Sequence, residues 1–157
     1  MKQIYIFSDT HNRINDCAET IRNAEKADAV IHAGDYADDA RDLQRMFPNI
    51  PFYCVKGNGD YFSHEPSELT VIIDGIKIFI THGHMYNVKY EYDLHSLNEK
   101  GRSAGAKLIV FGHTHKPYID VQKDITTVNP GSSGYGGTYA VLKTDGGRFR
   151  VDILEFE

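Results

Sequence analysis

Tryptophan is absent from this 157-residue chain, cysteine occurs twice, methionine three times and proline five times. Cys17 lies in a helical pattern and Cys54 inside an apolar run, unrelated contexts that argue for buried reduced thiols over a disulfide or a thiolate metal site. No Pro/Ser-rich linker, low-complexity block or internal repeat divides the chain, so residues 1–157 are expected to form a single domain. The apolar runs are far shorter than the roughly 20 residues of a membrane span, and the first residues lack the basic and apolar regions of a signal peptide. A cytoplasmic protein with no membrane association is therefore expected. Positive charge is also scarce: 17 Lys and Arg against 22 Asp and Glu give a net charge of −5. General nucleic-acid binding draws on clustered Lys and Arg and is disfavoured. A small phosphorylated substrate stays compatible, because bound metal ions can supply the missing charge.

What the chain does have is five short apolar runs, each stopping abruptly at Asp, His or Asn among glycines. They are Ile4–Phe7 before Asp9-Thr10-His11, Ala29–Ile31 before Gly34-Asp35, Phe52–Val55 before Gly57-Asn58-Gly59-Asp60, Ile78–Ile80 before His82-Gly83-His84, and Leu108–Phe111 before Gly112-His113-Thr114-His115. Such runs read as buried strands, and open sheets bind ligands beyond the carboxyl ends of their strands. Helical spacing over residues 14–26, with Asn15 or Asp16 able to cap the start, and over 39–47 makes the opening third strand, helix, strand, helix, strand. That alternation predicts a parallel sheet with crossover helices. Residues 69–73 and 76–81 flank the turn signal Asp74-Gly75 and predict a hairpin, hence a second sheet. A helix over 92–104, weakened by Gly101, precedes strands at 107–111, 118–122, 125–129, 138–144 and 148–156. The expected fold is α/β, a four-layer α-β-β-α sandwich of two mixed sheets flanked by helices.

In an extended segment residues i and i+2 point the same way, so Asp9 with His11, and His113 with His115, can converge on one ion. Asp35 ends the second strand where one carboxylate could reach two ions; Asn58 adds an amide oxygen and His82 an imidazole. Seven candidate metal ligands, Asp9, His11, Asp35, Asn58, His82, His113 and His115, are too many for one four-coordinate structural site and suit two ions. Imidazole, carboxylate and amide oxygen without thiolate fit two divalent ions, manganese first with iron, zinc or nickel as alternatives, and exclude an iron–sulfur cluster or calcium cage. Two such ions make hydrolysis of a phosphate ester accessible.

The series Asp-x-His, Gly-Asp, Gly-Asn-x-Asp, His and Gly-His-x-His, in this order, resembles the calcineurin-like metallophosphoesterase superfamily. The short length and the turn Asn129-Pro130-Gly131-Ser132 resemble its small prokaryotic phosphodiesterases. The resemblance covers residues 4 to about 133. It implies that Asp9, His11, Asp35 and His115 hold one ion and Asp35, Asn58, His82 and His113 the other, with Asp35 bridging. The complete set of seven ligands leads to the expectation of a dinuclear phosphodiesterase in which a metal-bridging hydroxide attacks phosphorus while Asn58 and His84 steady the phosphoryl oxygens. One departure stands out. Where many members have a His that protonates the leaving group, this chain has Gly59; His84 is the candidate replacement donor or phosphate contact.

Bland roles fit other residues. His32 inside an apolar run is expected to pack or bond to backbone, and His64 and His95 to be solvated. Asp60 is expected to orient neighbours, Asn12 to cap a helix, and the glycines of 131–137 to form turns. Tyr36, Tyr61, Tyr86, Tyr90 and Tyr92 come soon after ligand segments and could wall a pocket. The alternatives to a phosphodiesterase are a phosphomonoesterase or phosphoprotein phosphatase on the same site, or a non-catalytic protein-binding scaffold such as the retromer subunit that this fold resembles. The expected partner is a small phosphodiester; a homodimer is expected only because small domains often pair.

Overall fold

A computed structural model describes all residues 1–157. Strand β1 (Lys2–Phe7) leads into α1 (Ile14–Asn23), β2 (Ala29–His32), α2 (Ala37–Met46) and β3 (Phe52–Cys54). The hairpin β4 (Glu68–Ile73) and β5 (Ile76–Thr81) comes next, then a single 3₁₀ turn at His84–Tyr86 and α3 (His95–Ser103). The rest is strand: β6 (Leu108–Val110), β7 (Tyr118–Val121), β8 (Thr126–Asn129), β9 (Thr138–Asp145) and β10 (Arg148–Glu155). One five-stranded sheet has the order β10-β9-β1-β2-β3 and the other β4-β5-β6-β8-β7. In each, three parallel strands form the middle or one side, β1-β2-β3 and β5-β6-β8, and antiparallel strands complete it.

The period-2 alternation of strand side chains explains the layers. Ile4, Ile6, Ile31, Ile78, Ile80, Leu108 and Val110 are fully buried in the core between the sheets. Their alternating neighbours face outward: Tyr5, Phe7 and Val30 pack on Cys17, Ala18, Ile21 and Leu43 of α1 and α2. Phe79 and Ile109 pack on Leu97 of α3. The four-layer sandwich is thus the observed architecture, and both cysteines are buried and free. No helix is long and apolar enough to cross a membrane.

The first and third helices are shorter than the spacing predicts, and α2 begins two residues earlier and ends one residue earlier than expected. In none does the residue preceding the first turn cap it with its own side chain, although carboxylates outside the helix accept from the first N–H groups of α2 and α3. Arg13, not Asn15 or Asp16, precedes the first turn of α1; Asp16 lies inside that turn and pairs with Arg13 at 2.7 Å. Asn12 does not cap either: its backbone N–H donates to Asp39 Oδ2 at 2.8 Å. Gly101 weakens α3 in isolation but seats it in the fold, because a Cβ there would lie 2.3 Å from Ile109 Cδ1 and 2.6 Å from its Cγ1. Gly101→Ala should therefore cost about 1–3 kcal/mol in urea denaturation, overpacking outweighing the ~1 kcal/mol that alanine gains in an open helix.

Candidate metal centre

The carboxyl ends of β1, β2, β5 and β6 meet at one edge of the sandwich, carrying Asp9, His11, Asp35, His82, His113 and His115 with them. Two groups converge so that one ligand atom from each member lies within 4.8 Å of the others: Asp9, His11 and His115, and Asp9, Asp35 and His82. The convergence has a different local cause from extended geometry. Asp9, His11, Asp35, His113 and His115 all have positive φ, between 47° and 70°, so the chain leaves each strand through left-handed residues. Such residues cost roughly 1–2 kcal/mol each unless the surroundings hold them.

Hydrogen bonds, several between distant segments, do the holding. Asp9 Oδ2 accepts from Ser8 Oγ at 2.6 Å and from the backbone N–H of His113 at 3.2 Å. Asp9 Oδ1 has no hydrogen-bond partner, though fully buried. It lies 3.2 Å from His115 Nε2 and 3.9 Å from His82 Nε2. Asp35 is divided likewise: Oδ1 accepts from Gly59 N–H at 3.0 Å, and Oδ2 faces His82 Nε2 at 3.5 Å. His82 Nδ1 lies 2.8 Å from the carbonyl of Ala33. A carbonyl only accepts, so Nδ1 carries the hydrogen and Nε2 presents its lone pair to the carboxylates. His82 Nε2 and His11 Nε2 are also buried without partners. Asp9 and His82 thus each spend one polar atom on the protein and leave the other unpaired toward a common point, which is the donor set a divalent cation requires. The centre also needs missing Cβ atoms. One on Gly57 would fall 2.1 Å from Asp35 Oδ1, and one on Gly112 would fall 2.8 Å from Asp9 Oδ2.

His113 stands outside both three-residue groups, its ring 5.0 Å from that of His82. Asn58 is exposed at the tip of the Gly57–Asp60 turn and makes no side-chain hydrogen bond. Asp60 has the orienting role expected of it: its carboxylate accepts from the N–H groups of Gly57 at 2.7 Å, Tyr36 at 2.9 Å and Ala37 at 3.0 Å, tying the turn to the loop that carries Asp35. His64 and His95 are exposed. Of the five tyrosines, Tyr36 packs edge-on against His11 at 4.7 Å, Tyr86 turns away to Glu68, and Tyr61, Tyr90 and Tyr92 are exposed.

Several supports have a role that the sequence pattern does not assign to them. Tyr135, in a segment expected only to turn, lies 4.3 Å from His11 and 5.5 Å from His115, ring to ring. Ser132 Oγ donates to the carbonyl of Asp9 at 2.8 Å, and Asn129 Nδ2 donates to that of Gly112 at 2.9 Å, so the 129–133 turn stitches the first and last ligand loops together. Asp39, on α2, holds the first loop through Thr10 Oγ1 at 2.6 Å and the N–H of Asn12.

The electrostatics are those of a site lacking positive charge. Burial disfavours the charged form of His82, but Asp35 and Asp9 beside it prevail and raise its pKa. Burial likewise pushes Asp35 upward, yet His82 and the Gly59 N–H hold its carboxyl far below the usual carboxylate range. A bound cation would take the place of the proton on His82. Burial, followed by His82 and Lys89, lowers His113 to about 4; burial also lowers His11 and His84.

His32 bonds as expected and adds a pH-dependent element. Thr10 gives its hydroxyl proton to Asp39, so it accepts from His32 Nε2–H at 3.0 Å, and the deprotonated Nδ1 accepts from Gly34 N–H at 3.2 Å. Burial lowers the His32 pKa from 6.5 to about 4. Between these values the unfolded chain binds a proton that the folded chain refuses, so the stability is complete above pH 6.5 and is lost as pH falls toward 4. His32→Gln should flatten that part of the stability–pH curve by about 3 kcal/mol, measured as denaturation free energy against pH.

Comparison with known proteins agrees with this geometry. Residues 1–147 match the calcineurin-like phosphoesterase superfamily domain. A probable metallophosphoesterase of Bacillus subtilis is 32% identical over 82% of this chain and 73% of its own length. A phosphodiesterase of Methanocaldococcus jannaschii is 28% identical, covering 98% of this chain and 99% of its own. Among solved structures, a predicted phosphoesterase of Streptococcus pneumoniae superposes with TM-score 0.80 at 27% identity, covering 98% of this chain and 89% of that one. The zinc complex of Vps29 from Entamoeba histolytica, at 18% identity and TM-score 0.74 over 99% of both chains, shares the fold. With its two Asp/His groups at the sheet edge and a domain match that spans nearly its whole length, this chain belongs to the calcineurin-like phosphoesterase superfamily.

Proposed function

We propose that the chain is a dinuclear metal-dependent phosphodiesterase. The observation that carries this reading is the set of buried, unpartnered donor atoms on Asp9, His11 and His82, aimed at a point shared with Asp35 and His115. Asp9, His11, Asp35 and His115 would hold one ion and Asp35, Asn58, His82 and His113 the other, the division that the resemblance implies. The carboxylate common to both three-residue groups is Asp9, whose Oδ1 lies 3.2 Å from His115 Nε2 and 3.9 Å from His82 Nε2. When bound, the ions supply a nucleophilic water near neutral pH and neutralise phosphoryl charge; manganese is the first candidate.

The chain's own side chains govern how the phosphoryl group and its leaving group are handled. Asn58, exposed at the turn tip, offers an amide donor to a phosphoryl oxygen. His84 has its ring 5.6 Å from His82 and 6.1 Å from His113. With its pKa lowered by burial, His84 is neutral at pH 7. It can donate one hydrogen bond to a phosphoryl oxygen but is poorly suited to give up a proton to a leaving group. Gly59 supplies none. Good leaving groups, such as aryl alcohols, should therefore be favoured, and the two ester oxygens of a diester limit the negative charge that this acidic chain must accommodate.

Hydrolysis of a bis-aryl phosphate with added manganese should fall at least about 100-fold in Asp35→Asn and in His113→Ala. Unchanged turnover in both variants would overturn the assignment, and fewer than one tightly bound or activating ion per chain would favour a non-catalytic scaffold. Matched aryl mono- and diesters should show preference for the diester. Activity and metal affinity should drop together as pH falls toward 6.5, the loss beginning above that value, because His82, whose pKa is raised, must lose its proton to bind metal.

A further inference from the structure

Beside the candidate centre lies a groove of about 600 Å³. It adjoins the ligand segments on two sides. Thr114, one of its walls, stands between His113 and His115. Val88 and Phe111, two others, pack against the backbone between His82 and His84: a Cβ on Gly83 would lie 3.2 Å from Val88 and 3.5 Å from Phe111. A substituent that leaves a phosphoryl group at the centre on the His82 and His113 side has this groove as its neighbour.

Its chemistry is selective. Phe111 and Tyr118 meet edge to face with ring centroids 6.2 Å apart, and Tyr92 stands fully exposed at the rim. Pockets of this size with aromatic walls and a few polar groups accommodate planar ligands. Lys89 and Lys116 also line it, and neither ammonium makes an ion pair or a side-chain hydrogen bond. Lys89 is near enough for its charge to act on His113. The single carboxylate in the groove, Glu91, is already engaged, accepting from Ser96 N–H at 2.8 Å and from Ser96 Oγ at 2.6 Å. Two unpaired cations facing one cavity are conspicuous on a chain of net charge −5. The other cavity near the ligands differs: beside Tyr135 its walls include Asp16, Glu155 and Glu157, and its one cation, Arg13, is paired with Asp16. An anionic group is repelled there.

We infer that the groove between the His82–His84 turn and the His113–His115 loop receives one ester group of the substrate, a planar ring that carries a second negative charge, as in a nucleotide. This rests on the phosphodiesterase reading above and deepens it from any diester to a nucleotide-like one. The phosphoryl group sits at the centre, the ring against Tyr118 and Tyr92, with Phe111 backing Tyr118, and the additional anionic group against Lys89 and Lys116.

Calorimetric titration of the manganese-loaded chain with thymidine 3′,5′-bisphosphate and with methyl phosphate tests the assignment. The bisphosphate should bind at least about tenfold more tightly, and that ratio should shrink about tenfold in the Lys89→Gln/Lys116→Gln double variant, both lysines being exposed. Tyr118→Leu should reduce the ratio independently through the ring. Equal affinity for the two probes, or a ratio unmoved in both variants, overturns the groove assignment. Aryl-diester turnover in the same preparation separates the two readings: turnover with no difference between probes removes the groove alone. A sustained ratio without turnover removes the hydrolytic reading and with it the ester-group assignment.

Discussion

Two carboxylates, Asp9 and Asp35, are held with the imidazole of His82 inside a space a few ångströms wide, and the protein supplies no Lys or Arg to neutralise them. Like charges this close, out of bulk water, repel strongly unless a cation lies between them. The rest of the molecule is arranged around that constraint. Both sheets end at the same edge so that ligands from β1, β2, β5 and β6 can meet. Asp9, Asp35 and His82 each bind the protein with one atom and turn the other toward the shared space.

The ligand loops are strained, and their strain is offset at a distance. Left-handed residues recur at Asp9, His11, Asp35, His113 and His115, and none of these conformations would persist in an isolated peptide. Asp60 gathers three N–H groups around the Asp35 loop, Asp39 holds Thr10 and Asn12, and the Asn129–Ser133 turn ties the first loop to the last. Positioning residues on this scale are what separates a preorganised ligand set from a collection of surface side chains. The same economy extends to His32, which stays neutral so that one face can donate to Thr10 and the other accept from Gly34.

On the substrate side the centre is asymmetric. The Tyr135 side is flanked by carboxylates, while the His84 and His113 side opens to aromatic rings and two unpaired lysines. With Gly59 offering no proton and His84 held neutral, the proposed phosphodiesterase would rely on electrostatics and positioning more than on acid catalysis. A leaving group that is acidic in its own right, or one gripped by the groove, suits such a site.

The strands, the two-sheet fold and the gathering of Asp9, His11, Asp35, His82 and His115 at one sheet edge were legible in the chain alone, because apolar runs bounded by glycine and period-2 burial are local properties. Asp60 as an orienting residue and His32 as a bonded core histidine were legible in the same way. The local reason for pairing Asp9 with His11, and His113 with His115, was extended geometry, whereas the structure reaches the convergence through positive φ. Which oxygen of Asp9 stays free emerged only on folding, since its other oxygen is taken by an N–H 104 residues away. Folding also brought Tyr135 against His11, turned Asp39 to the first loop, and set Lys89 and Lys116 around one groove. Periodicity reports which way a side chain faces on its own element; which distant element it meets depends on how the two sheets pack.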